Sequence, residues 1–148
     1  MDVQPDFRDL LALFNEHKVE YIIVGGYALA FHGAPRYTGD IDILVRPDPD
    51  NAQRIMRALD AFGFGSAELT AEDFQSPDQV VQLGVPPVRI DIVTSVTNVT
   101  WETAASSRVE GKYGDVVAHY IGRVQFVANK RAIGRKKDLA DLEALGEE

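Results

Sequence analysis

The sequence has no cysteine, a single tryptophan and only three histidines in 148 residues. Without cysteine, disulfides, thiolate zinc sites and cysteine nucleophiles are excluded. His17, His32 and His119 stand apart, with no HExxH pair and no serine–histidine–aspartate arrangement around them. His32, beside Gly33, reads as a residue at a helix end rather than a ligand. No apolar run approaches the length of a membrane span. The first residues, Met-Asp-Val-Gln-Pro-Asp, carry neither a basic region nor an apolar stretch, so no signal peptide is expected and a cytoplasmic protein is the default. Positive charge is scarce as well: 15 Lys and Arg stand against 23 Asp and Glu, a net charge of −8. That balance excludes a general nucleic-acid binder, which needs clustered cations to release counterions.

What is present is globular. A hydrophobic content of 45% and a charged content of 26% are values of a folded domain. The length suits one core, so residues 1–148 are expected to form a single domain. Apolar residues at helical spacing predict a helix over 5–17, and the run Tyr21-Ile-Ile-Val24 predicts a buried strand. A short helix is expected over 27–31, closed by Gly33-Ala34-Pro35, and a strand over 40–45. Residues 47–50 read as a turn leading into a helix over about 51–62, which Gly63-Phe-Gly65 terminates. Residues 80–83 and 88–93 predict two strands joined by the turn residues Gly84-Val-Pro-Pro87. A short helix over 100–106 follows, then a strand or strand pair over 108–120, broken by Gly111 and Gly114. Two helices, 122–133 and 136–145, are separated by Gly134. The pattern predicts an α+β fold with a mixed sheet, helices mainly on one face and a C-terminal helical pair.

The chemistry concentrates in three places. Gly25-Gly26 follows the first apolar strand, where the missing Cβ atoms allow a tight turn and close approach to a ligand. Amides opening the next helix would face outward, where a phosphate is favoured. Asp40-Ile41-Asp42 puts two carboxylates on one face of a strand and Ile41 on the other. Ile90-Asp91-Ile92 repeats the apolar–acidic–apolar pattern, so Asp91 becomes a third carboxylate on that face if the two strands are neighbours. Such a group suits Mg²⁺ or Mn²⁺, which takes a few protein oxygens together with phosphate oxygens. A third carboxylate also serves as a second metal's ligand or as a base. Late in the chain, Lys130, Arg131, Arg135, Lys136 and Lys137 crowd together. They read either as a patch for a triphosphate or an RNA backbone, or as a solvated helix junction.

In this order and spacing the motifs resemble the DNA polymerase β-like nucleotidyltransferase superfamily, and within it the bacterial AbiEii-type (type IV toxin) nucleotidyltransferases and their small stand-alone relatives. The matches are Gly25-Gly26-Tyr27-Ala28-Leu29, Arg36-Tyr-Thr38-Gly-Asp40-Ile-Asp42, Lys130, and Arg135-Lys-Lys137-Asp138-Leu-Ala-Asp141. The resemblance implies a metal-dependent transfer of a nucleoside monophosphate from an NTP. It implies that Asp40 and Asp42 ligate the metal and that Asp91 ligates a metal or activates the acceptor. Gly25 and Gly26 would hold the β- and γ-phosphates, and Lys130 would neutralise triphosphate charge at the mouth of the cleft, so that Lys130→Ala impairs transfer more than folding. Arg36 and Thr38 would support the phosphate or the metal strand. Asp138 either orients Lys130 or Arg135, or simply occupies the first turn of the last helix. The C-terminal helices, 122–148, would complete the nucleotide site. An RNA or tRNA end is the acceptor that the toxin class implies, with a cognate antitoxin as partner. A small hydroxylated antibiotic is the second acceptor and a protein hydroxyl the third. A catalytically silent nucleotide-binding or antitoxin module is the non-enzymatic alternative, against which the intact aspartate triplet argues.

Overall fold

Four consecutive apolar residues make the central strand, β1 (Tyr21–Val24), which is buried along its whole length. In the computed structural model, which describes residues 3–35, 38–64, 68–85 and 88–147, β1 lies between an antiparallel and a parallel neighbour. These are β2 (Asp40–Val45) and β6 (Val116–Tyr120). β2 pairs in parallel with β4 (Arg89–Val93), while β3 (Val80–Leu83) and β5 (Val109–Tyr113) form the antiparallel edges. The order is β3-β4-β2-β1-β6-β5, a mixed six-stranded sheet. The helices are α1 (Pro5–Glu16), α2 (Gly25–Phe31), α3 (Pro49–Leu59), α4 (Trp101–Ser107), α5 (Arg123–Ile133) and α6 (Lys136–Ala144). The fold is α+β and ends in a helical pair, as the pattern predicts. No helix among the described residues is long and apolar enough to cross a membrane.

The strand register sorts the side chains by face. Val24 pairs with Asp42 and Ile22 with Leu44, while Asp40 pairs with Arg89 and Asp42 with Asp91. Paired residues share a face, so Ile22, Val24, Asp40, Asp42, Leu44, Arg89 and Asp91 lie on one side. Tyr21, Ile23, Ile41, Ile43, Val45, Ile90 and Ile92 lie on the other, and all are buried. The charged residues gather where β1 ends and β2 and β4 begin. Ile22 and Leu44, further along the same face, are buried.

Aromatic packing holds α2, and with it the glycine pair, in place. Phe31 stacks on Tyr120 with ring centroids 4.1 Å apart. Tyr27 meets Phe7 and Tyr113 edge-on at 5.7 and 5.4 Å. His32 ends the helix and places Nε2 2.7 Å from the Ile121 carbonyl. Gly111 therefore does not break the strand: it stays inside β5 because Phe31 fills the space where a Cβ would sit. Gly114, at φ +63°, makes the β5–β6 hairpin turn instead.

The starts of two helices depart from the sequence pattern by two residues. α2 starts at Gly25, two residues early, and α3 starts at Pro49, inside the expected turn. Proline suits the first helical position because its missing N–H has no intrahelical acceptor there, and the Asp48 side chain accepts from Asn51 N at 2.7 Å. The end of α3 passes into a wide turn, Asp60–Phe64, with Gly63 at φ 111°. Gly65, Pro86 and Pro87 lie outside the described residues.

Asn51 ties α3 to the start of β1 and the end of β2. Its fully buried amide accepts from Glu20 N (2.8 Å) and donates to the Glu20 and Arg46 carbonyls (3.0 Å each). Asn51→Ala removes all three bonds, which join α3 to the half-buried Glu20 and to the Arg46 backbone. Urea titration is expected to show a loss of about 3 kcal/mol.

Candidate active site

Sequence parity and strand register together create a cluster of acids. One carboxylate oxygen from each of Asp40, Asp42 and Asp91 lies within 4.8 Å of the others. At an effective dielectric of about 20, two unit charges at that spacing repel by roughly 3–4 kcal/mol, so the cluster exists only with compensation nearby. Arg89 supplies part of it. Its Nη2 donates to Asp40 Oδ2 at 2.8 Å and to Asp91 Oδ2 at 3.0 Å. Thr38 Oγ1 lies 2.9 Å from Asp40 Oδ1 and donates to it.

The three carboxyls titrate differently. Burial opposes ionisation of Asp40, but Thr38 and Arg89 more than offset it and hold this carboxyl below its usual range. Burial pushes Asp91 up, and Arg89 offsets only part of that. Asp42 touches neither cation directly. Burial, then the charges of Asp40 and Asp91, push it to about 7, against a weaker pull from Lys130.

Gly25 is required by this cluster. It sits at φ +70°, and a Cβ there would overlap Asp42 Oδ2. A Cβ on Gly26 would press against Thr38 at 3.2 Å. The pair thus makes room for the Asp42 and Thr38 side chains as well as lining the cleft beside them. That cleft encloses about 680 Å³, with Gly25, Gly26, Thr38 and the three aspartates on one wall. Lys130, Arg135 and Lys137 line the other, brought there by the α5–α6 turn.

Lys130 is buried, unlike the solvated helix lysine that its sequence context would equally allow. Its Nζ lies 3.1 Å from Asp138 Oδ1 and 3.3 Å from Asp141 Oδ2, and 5.5 Å from the centre of the Phe126 ring. Asp138, fully buried, also accepts from Arg135 Nε at 2.7 Å and from the Arg135 backbone N–H at 3.1 Å. Burial raises its pKa, but Arg135 and Lys130 outweigh it and hold the carboxyl at about 2. Asp138 therefore touches both Lys130 and Arg135 and at the same time caps α6. Arg36 lies outside the described residues.

The oxygen donors suit a hard divalent ion. Three carboxylates converge, and Asp91 Oδ1 is buried with no hydrogen-bond partner among the described residues. A cation that accepts several oxygens would satisfy that atom. Arg89 was missed by motif reading, although its position two residues before Asp91 puts it on the same strand face. Asp141 carries the family spacing, but nothing in the sequence alone shows that it reaches Lys130.

Comparisons with known proteins bear on the family and the fold. The family description "Nucleotidyl transferase AbiEii toxin, Type IV TA system" matches residues 8–127. Among solved structures, the fold is similar to TM1012 of Thermotoga maritima, described as a candidate nucleotidyltransferase, with a TM-score of 0.63 and 15% identity over 96% of this chain and 93% of that one. It is also similar to the lincosamide antibiotic adenylyltransferase LnuA, solved with lincomycin bound, with a TM-score of 0.58 and 16% identity over 99% and 98% of the two chains. At these identities the solved structures speak to the fold. No curated protein matches the chain by sequence.

Two outcomes follow from the geometry. Asp42 in the folded chain keeps its proton to about pH 7, whereas in the unfolded chain it ionises near 3.8. The stability it contributes is thus full below the unfolded value and is lost as pH rises through the folded one. Thermal melts of the metal-free protein are expected to show this loss between those pH values, and Asp42→Asn to remove much of the slope. Lys130→Ala takes a cation from a buried cluster of acids. It is expected to lower the unfolding free energy by about 3 kcal/mol in urea, so it impairs folding as well as any chemistry.

Proposed function

The chain belongs to the AbiEii nucleotidyl transferase toxin family, and we propose that it transfers a nucleoside monophosphate from an NTP to an acceptor hydroxyl. The observation that carries this reading is the convergence of Asp40, Asp42 and Asp91 within 4.8 Å on the wall of a cleft that also holds Lys130. Asp40 and Asp42 would hold Mg²⁺ or Mn²⁺, with Asp91 as a third ligand or as the base for the acceptor hydroxyl. A divalent ion bound there supplies Lewis-acid stabilisation of the charge developing on the phosphates.

The remaining work falls to the chain's own groups. Gly25 and Gly26 let the triphosphate approach the backbone beside Asp42. Lys130, anchored by Asp138, turns part of its charge to the leaving pyrophosphate, and Arg135 and Lys137 extend the basic wall. Thr38 keeps Asp40 oriented. Positioning and electrostatics are then the main catalytic contributions.

Two acceptors have support. A type IV toxin family favours an RNA end such as that of a tRNA, with a cognate antitoxin as partner. A small hydroxylated molecule is favoured by a different observation: besides its charged groups, the cleft is lined by the uncharged hydrogen-bonding side chains of Gln79, Ser95, Thr97 and Asn129. The likeness to an antibiotic adenylyltransferase, which spans nearly all of both chains, supports the same reading.

The test is incubation with each α-labelled NTP, Mg²⁺ and total RNA, with a hydroxylated antibiotic panel in parallel. Label is expected on one acceptor class, and Asp42→Asn is expected to reduce it by at least about a hundredfold, the scale of a lost electrostatic catalytic group. Label on RNA selects the first acceptor, and label on an antibiotic the second. Absence of transfer from every NTP to either class would contradict the proposal.

A further inference from the structure

Arg89 has no part in the chemistry described above, yet among the described residues it is the cation that hydrogen-bonds to Asp40 and Asp91. It lies on the same sheet face, directly across from Asp40 in the parallel register, and two residues before Asp91. One nitrogen, Nη2, serves both carboxylates. Its Nε is buried without a hydrogen-bond partner among the described residues, and so is Asp91 Oδ1. The guanidinium therefore compensates charge without using the two-pronged geometry in which arginine binds carboxylates best. Its side chain is one-third exposed (33%), and it lines the same cleft as Lys130 and Arg135.

We propose that Arg89 is a displaceable counter-ion that occupies the acid cluster in the metal-free protein and leaves Asp40 when a divalent ion and nucleotide enter together. This rests on the metal reading of Asp40, Asp42 and Asp91. A cation bound to those oxygens competes with Nη2 for the same acceptors. The released guanidinium has a strong alternative partner in the incoming triphosphate, whose oxygens match its fork. Both unsatisfied atoms then gain partners. Metal uptake consequently depends on nucleotide, and the empty site is protected against adventitious cations.

The test is Mn²⁺ binding, followed by the electron paramagnetic resonance signal of free Mn²⁺, with and without a non-hydrolysable NTP. Wild type, Arg89→Lys and Arg89→Met are compared, with fold checked by thermal melting. Arg89→Met is expected to bind Mn²⁺ without nucleotide on the order of tenfold more tightly than wild type, the scale of one charge-assisted hydrogen bond. Arg89→Lys should fall between them. Equal or weaker binding by Arg89→Met, while wild type binds with nucleotide, would overturn the displacement alone. Absence of binding by every protein under both conditions would overturn the metal reading with it. Wild type offers an independent readout if Arg89→Met does not fold. Nitrogen-15 NMR should show the Arg89 Nη signals shift on addition of Mg²⁺ and the analogue, and signals unmoved in the loaded protein would contradict displacement.

Discussion

Repulsion among three aspartates is the constraint around which this molecule is arranged. The parallel pairing of β2 with β4 brings Asp42 beside Asp91 and leaves Asp40 one step away on the same face. Apolar residues on the opposite face, from Ile41 to Ile92, fix that register, because a one-residue slip would turn isoleucines to the cleft and aspartates to the core. The core therefore enforces a charge arrangement that is unfavourable by itself. Arg89 relieves Asp40 and Asp91 directly, and Lys130 acts on Asp42 only at longer range.

The second charged cluster balances two acids against two bases. Asp138 and Asp141 surround Lys130, and Arg135 closes over Asp138. Buried ion pairs are weak contributors to stability compared with apolar packing, since desolvation costs about as much as the attraction returns. Their value here is in position. The α5–α6 turn, made at Gly134 with φ 69°, brings Lys130, Arg135 and Lys137 to the cleft that Gly25, Gly26, Asp40 and Asp42 line from the start of the chain. An acidic chain thus concentrates scarce positive charge where a triphosphate would need it.

Much of this was legible before any coordinates. Tyr21–Val24 and Asp40–Val45 carry apolar runs and alternation so regular that their strands fall where the pattern puts them, and strand parity places Asp40 and Asp42 together. Four things were hidden for physical reasons. The neighbour relation of β2 and β4 is a long-range pairing that no local pattern encodes. Gly111 looked like a break because its partner, the Phe31 ring, comes from α2, far away in sequence. Arg89 was overlooked because an arginine at a strand start is usually solvated, and only the register sets it against Asp40. The burial of Lys130 was likewise invisible, since it depends on two carboxylates from the following helix.

The central claim is that the acid cluster and the basic wall are two halves of one nucleotide site. Its most direct test is a crystal structure with Mn²⁺ and a non-hydrolysable NTP, read by manganese anomalous scattering. The account requires an anomalous peak among the Asp40, Asp42 and Asp91 oxygens, with the triphosphate running from there past Gly25 toward Lys130. An occupied nucleotide elsewhere, or bound Mn²⁺ that avoids all three carboxylates, would contradict it.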